Sequence, residues 1–246
     1  MPYLLKSLRP ARIVLLAAVL AMPSTLMAAQ SQSHVFNLYI RGFKAGTIST
    51  AAKKTATNYA LAGSVKPSAF LRLLRDVGFK GTASGRYSGT SYHPAKYTRN
   101  IKTGSDTSTV KMRFRNGRPI VESYLPGREK RSYDIDPAAQ RGAIDLLSAL
   151  HSVFEDTNLA GLCNRTIHMF DGRRRSKLTL SKPKNSNGNT SCAGKYSRVA
   201  GFSPRDMQKR VNFPFTLVYD QLDDETYRLM SFHAETTFGS AKAVRK

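Results

Sequence analysis

Hydrophobic and polar positions alternate with period two along most of this chain, the pattern of half-buried β-strands. Phe36, Leu38 and Ile40 fall on one face of residues 34–40. Over residues 107–115 the alternation sharpens: Val110, Met112 and Phe114 point one way, Lys111, Arg113 and Arg115 the other. Asn116 and Gly117 follow, a pair suited to the positive φ angles of a type I′ turn, which predicts a partner strand over residues 119–124. A second hairpin is predicted over residues 166–180, with Ile167 and Met169 inward, a turn at Asp171 and Gly172, and Leu178 and Leu180 on the return. Near the C-terminus Phe213, Phe215, Leu217 and Tyr219 alternate, as do Met230, Phe232 and Ala234. Gly81, Gly85 and Gly89 fall in a strand-like segment and are expected at bends or bulges.

Two segments follow a helical period. Phe70, Leu71, Leu73 and Leu74 predict a short helix within residues 67–77. Residues 136–156 predict a longer one of about five turns: Asp136 as cap, Pro137 at the first position, then Ala143, Leu147, Leu150 and Phe154 on one face with Ile144 beside them. Residues 185–190 form a polar Asn/Gly loop. The expected fold is β-rich α+β: one domain over residues 29–246, a curved antiparallel sheet or partial β-barrel with the long helix packed on its concave face.

The first 28 residues stand apart. Lys6, Arg9 and Arg12 precede an apolar run from Ile13 to Leu20, and small residues follow at Ala28 and Ala29. This is the layout of a cleaved secretory signal peptide, with cleavage after Ala28 or Ala29. The competing reading, a retained membrane anchor, is weakened by the short apolar run and by Pro23, Ser24 and Thr25 after it. The expected address is therefore the periplasm.

That address changes the meaning of the charge. The chain holds 39 Lys and Arg against 16 Asp and Glu. Such an excess ordinarily points to nucleic acid, which an exported protein does not normally meet. The anions outside the inner membrane are phospholipid and lipopolysaccharide phosphates and the carboxylates of the wall polymer, any of which attracts a basic surface. The clearest basic cluster is Arg173, Arg174 and Arg175 with Lys177. On a strand, Arg173, Arg175 and Lys177 share a face, and they would join Lys111, Arg113 and Arg115 if the two strands were neighbours, giving a candidate anion site. The alternative is a solvated outer face that keeps the sheet soluble.

Cys163 and Cys192 are the two cysteines of the chain. An oxidising compartment favours a bridge between them, worth roughly 3.5 kcal/mol for a loop of about 30 residues. Two buried free thiols, or half of a metal site, are the other readings. The five histidines, His34, His93, His151, His168 and His233, include no pair at metal-binding spacing. A GxSxG elbow and a phosphate-binding glycine loop are both missing from the sequence. Asp134, Asp136, Asp145 and Asp171 fit caps and turns. No catalytic residue, cofactor or metal is expected.

Gly42 and Gly46, the run of residues 142–150, Cys163, residues 170–175, Cys192 and residues 199–202 form an ordered set. In that order the mature chain resembles the bacterial family called domain of unknown function 3108. The resemblance implies a periplasmic, β-rich protein without established enzymatic activity, similar at the level of fold to half-barrel carriers of lipids and lipoproteins, and it implies that Cys163 and Cys192 pair. The expected function is non-enzymatic: a monomer that binds an amphiphile or an anionic envelope component, with possible contact to a membrane surface. Phe36, Leu38, Val110, Met112, Phe114 and Leu147 are the candidate apolar lining. A scaffold docking protein or peptidoglycan is the second reading. An envelope hydrolase, using Asp145 with a His and a Ser, is the third.

Overall fold

The computed structural model describes residues 29–74, 77–186, 189–236 and 239–246. The signal-peptide segment lies outside the described residues. The chain opens with three long antiparallel strands, β1 (Gln30–Ile40), β2 (Phe43–Lys54) and β3 (Asn58–Pro67), then a short helix α1 (Ala69–Leu74). Four more strands form a meander: β4 (Val77–Ser88), β5 (Ser91–Thr103), β6 (Asp106–Arg115) and β7 (Arg118–Leu125). After a 3-10 turn at Pro137–Ala139 come helices α2 (Leu146–Phe154) and α3 (Leu159–Leu162). The rest comprises β8 (Arg165–Phe170), β9 (Arg175–Leu180), β10 (Lys184–Ser186), β11 (Asn189–Ala200), helix α4 (Pro204–Lys209), β12 (Asn212–Gln221), β13 (Tyr227–Thr236) and β14 (Gly239–Arg245).

All the strands belong to one sheet. Its order is β7-β6-β5-β4-β3-β2-β1-β14-β13-β12-β11-β9-β8, with β10 paired to β11 outside that path. Each ladder is antiparallel. The C-terminal β14 pairs with β1, so the two halves join and the main path ends in two edges, β7 and β8. The sheet curls until those edges face each other, giving a nearly closed barrel.

The seam is sealed by residues 140–144. The Gly142 amide donates to the Gly117 carbonyl at 2.9 Å. Ile144 pairs in parallel with Met169 of β8, giving and receiving bonds of 2.9 Å with His168 and Phe170. Arg99 of β5, 4% exposed, reaches the Asp171 carbonyl at 3.5 Å.

This corrects the reading of one long helix over residues 136–156. Asp136 does cap a turn and Pro137 does open it, but that turn is three residues of 3-10 helix. Gly142 then takes φ +78°, and Ile144 is recruited as an edge pairing. The helix restarts at Leu146 with Asp145 as its cap and lasts nine residues. Ala143 and Ile144 are apolar because they pack in the seam, and their spacing mimics a helical face.

The interior holds two apolar clusters. One contains Phe36, Leu162, Leu217, Tyr219 and Leu229; the other contains Tyr59, Tyr97, Val110, Met112 and Phe170. Helix α2 lies between them: Leu147 belongs to the second cluster, Val153 and Phe154 to the first. It touches β3, β4, β5, β8 and β13, so it is enclosed by the curl. Leu147 packs so closely on β3 that a Cβ at Gly63 would stand 2.5 Å from its Cδ1.

The hairpins follow the sequence pattern, with local exceptions. Asn116 and Gly117 adopt φ +52° and +71°, as a type I′ turn requires. Gly85 sits at a bulge opposite Pro94, where a side chain would collide with the His93 carbonyl. A second bulge falls at Met230: Val218 pairs with Ser231, but Tyr219 pairs with Leu229. Leu229, rather than Met230, therefore enters the core, at 0% exposure. Asn185 and Ser186 are in β10, paired with Thr190 and Asn189 of β11, so these positions of the polar 185–190 segment are strand rather than loop.

Candidate functional site

Helix α2 places an unusual set of polar groups inside the barrel. At its N-terminus the fully buried Asp145 accepts from the Ser148 amide at 2.8 Å and the Ser148 hydroxyl at 2.7 Å. The Tyr59 hydroxyl stands 2.9 Å from the same serine oxygen. Burial pushes the Asp145 carboxyl up to about 6, against those bonds from Ser148. The Asp and Ser foreseen for a hydrolase thus do meet, but as a helix cap closed off from solvent, with Tyr59 rather than a histidine as third partner.

At the other end of α2 the last carbonyls need donors. Arg165 of β8 donates to the Ser152 carbonyl at 2.5 Å, and Arg245 of β14 to the Phe154 carbonyl at 3.3 Å. The Tyr219 hydroxyl donates to the Val153 carbonyl at 3.4 Å. Two cations at a helix C-terminus also complement its dipole. Around them lie His34 and His151, Lys54 paired with Glu155 at 2.5 Å, and Arg228 paired with Asp156 at 2.6 Å. Arg245 Nη1 stands 3.0 Å from His34 Nδ1. Burial, with Arg245 second, lowers His34 to about 4; burial, with His34 and Lys54 next, lowers His151 to about 3. Both rings are therefore neutral at neutral pH.

Beside this cluster, at the imperfect seam, a cleft of about 710 Å³ opens. It lies between the β4–β5 hairpin (Arg86, Thr90–Ala95), the β6–β7 turn (Phe114, Asn116, Gly117), the sealing segment (Gly142–Ile144), Ser152 of α2 and the edge strand β8 (Arg165–His168). The volume is within the usual range for a small-molecule site. Phe114, Ile144, Ile167 and Pro94 give it apolar walls. Arg86, His93, Arg165 and His168 give it cationic and donor groups, and no carboxylate lines it among the described residues. In two of its lining residues one nitrogen, Arg165 Nε and His168 Nδ1, is buried away from solvent without a protein partner. Burial lowers Arg165 below the ordinary guanidinium value and lowers His168 below the ordinary imidazole value, the latter assisted by Arg175 and Lys177.

The residues expected from sequence are dispersed. Phe114 lines the cleft. Phe36, Val110, Met112 and Leu147 are at most 1% exposed and are packed core, with Leu38 partly buried against it. The barrel interior that would have held an apolar chain is filled by their side chains and by α2. Arg173 and Arg174 belong to the β8–β9 turn; only Arg175 and Lys177 are on β9. Arg173 stacks on Tyr124 at 3.4 Å, Arg174 lies over Phe202, and Arg175 donates to Gln140 at 3.2 Å. Lys111, Arg113 and Arg115 face solvent on β6, where Arg113 pairs with Glu122. Strands β6 and β9 do not pair; each lies one strand in from one of the two edges that meet at the seam. Cys163 and Cys192 are bonded, with Cα atoms 5.8 Å apart. Their bridge ties the end of α3 to β11 within the first core cluster.

Arg86, Arg165, His93 and His168 were not identified as a group by sequence reasoning. They are up to 82 positions apart, and each alone reads as a surface charge.

An antiparallel, barrel-like sheet with a buried helix and a lateral cleft defines the class. Within it, the chain belongs to the family described as protein of unknown function (DUF3108), whose model matches residues 35–245. Among solved structures, the crystal structure of a β-barrel-like protein of domain of unknown function DUF1849 from Brucella abortus aligns with a TM-score of 0.49 at 9% identity, covering 89% of this chain and 96% of that one. No curated protein matches.

Proposed function

We propose that this is an exported, non-enzymatic envelope protein that binds an anionic amphiphile in the seam cleft. The apolar part of the ligand lies against Phe114, Ile144 and Ile167, and its anionic group is received by Arg165, His168 and Arg86. The observation that carries this reading is the cleft itself, with apolar walls and a charged lining of Arg86 and Arg165 beside His93 and His168, and no carboxylate among the described residues. The signal-like first 28 residues and the Cys163–Cys192 bridge support export to the periplasm.

Titration calorimetry with dodecyl phosphate, against dodecanol as the uncharged analogue, tests the reading. The phosphate binds and the alcohol binds at least tenfold more weakly. Arg86 is exposed, so Arg86→Glu leaves the fold intact and weakens the phosphate by about tenfold, roughly 1.4 kcal/mol. Equal affinity for both compounds, unchanged by the variant, contradicts it.

The filled barrel interior favours one second reading, a docking scaffold for the wall polymer. In that case the chain binds isolated sacculi, and the binding fades as salt screens the carboxylates.

A further inference from the structure

We infer that the protein rests on an anionic phospholipid surface through one end of its barrel, the end formed by the β1–β2 turn, α1, and the Thr103–Asp106 turn between β5 and β6. This contact is independent of the cleft and of its ligand.

The strand registers define the two ends. Ile40 faces Phe43, Gly46 faces Pro67, Val77 faces Thr103 and Thr103 faces Asp106, so these positions share one rim. Leu125, at the end of β7, reaches toward the same rim beside Thr109. Lys54, Ser88, Arg115 and Gln221 lie at the other end, since each closes its ladder beside a turn there.

Large exposed apolar residues mark the first rim. Phe43 is 75% exposed at the tip of a tight turn, Leu125 is 58% exposed, and Val77 is 38% exposed. An apolar tip serves neither the core nor solubility. In 40–44, 66–72, 77, 102–106 and at Glu235, which pairs with Ser240 beside the β1–β2 turn, the charged residues are Arg41, Lys44, Lys66, Arg72 and Lys102 against Asp106 and Glu235. Apolar tips set among lysines and arginines match the two halves of an anionic bilayer interface: acyl boundary for the rings and methyls, phosphates for the cations.

One turn of the opposite end has the reverse character. Its exposed Leu222 is followed directly by Asp223, Asp224 and Glu225, and Asp220 lies just before it. That acidic turn is repelled by the surface that attracts the first rim. Phe43 is thus set among cations and Leu222 among carboxylates.

The chain contains no tryptophan, so a single substitution supplies a position-specific reporter. Phe43→Trp and Leu222→Trp, each in the full chain, are mixed with vesicles of phosphatidylglycerol and, separately, of phosphatidylcholine. The indole at 43 shifts to the blue and is quenched by bromolipid in phosphatidylglycerol vesicles. It returns to its free spectrum near 1 M salt, where the screening length falls to about 3 Å. The indole at 222 does not respond. Cosedimentation of Phe43→Ser with phosphatidylglycerol vesicles falls about tenfold relative to the unsubstituted chain. An unresponsive indole at 43, an equal response at 222, or an equal response to phosphatidylcholine overturns the inference. Partitioning driven by the apolar run in the first 28 residues does not imitate the expected result, because each indole reports only its own position.

Discussion

The rings of His34 and His151 lie 5.8 Å apart, 3% and 0% exposed, in a part of the core that also holds Arg245 and Lys54. Neither nitrogen of His151 has a protein hydrogen-bond partner. The folded state therefore keeps both rings neutral, while the unfolded chain takes up protons from about pH 6.5 downward. More protons bound in the unfolded state means that stability rises with pH. Their contribution is complete above about pH 6.5 and is lost as pH falls toward the folded values of about 4 and 3.

Asp145 acts in the opposite sense. Its carboxyl is raised by burial to about 6, so its contribution is greatest below about pH 4 and is lost as pH rises through 6. The histidine effect is isolated by substitution. In urea melts at pH 7 and pH 5, His151→Phe loses less stability on acidification than the unsubstituted chain, by up to about 1.4 kcal/mol per pH unit for one proton. Parallel losses in both chains would show that His151 is not the titrating group.

Cys163→Ser is expected to lower stability by about 2–4 kcal/mol under oxidising conditions. Reducing the unsubstituted chain should produce the same melting temperature as the variant. An unchanged melting temperature in either case contradicts a structural role for the bridge.

Gly63→Ala places a methyl against Leu147, which at 1% exposure has little room to move. The expected cost is about 1–3 kcal/mol. Leu147→Ala alone costs about 2–5 kcal/mol. The double variant should lose less than the two costs together, because each change relieves the other. Strict additivity in denaturant melts would show that the two sites do not couple.

Arg165 has two roles, at the Ser152 carbonyl and at the wall of the cleft. Arg165→Met should therefore destabilise the fold by about 1–3 kcal/mol and weaken ligand binding together. Arg113→Ala, which breaks an exposed pair with Glu122, should change stability by about 0–1 kcal/mol. Equal melting temperatures for the two variants would remove the helix-capping role of Arg165.

Much of the fold is legible in the sequence because strands have a short period. Val110, Met112 and Phe114 alternate with Lys111, Arg113 and Arg115, and the Asn116–Gly117 turn follows at once, so the β6–β7 hairpin is written locally. Cys163 and Cys192 are legible because two thiols have one possible pairing. Closure is not legible. Ala143 and Ile144 keep helical spacing with Leu147, yet Ala143 is buried in the second core cluster and Ile144 pairs with β8, and Gly142 ends the helical period with a positive φ. Met230 has the right parity for the core and loses it to a bulge. The cleft is the least legible feature. Arg86, Phe114 and Arg165 meet only because both sheet edges return to one seam.

The central claim is that the seam cleft holds an anionic amphiphile. The most direct measurement is native mass spectrometry of the chain purified without detergent from its own host, followed by solvent extraction of whatever is released. The account predicts a mass above that of the bare chain, carried by one acidic, chain-bearing molecule, and its depletion in Arg86→Glu. A bare mass in both proteins, with nothing extracted from either, would contradict it.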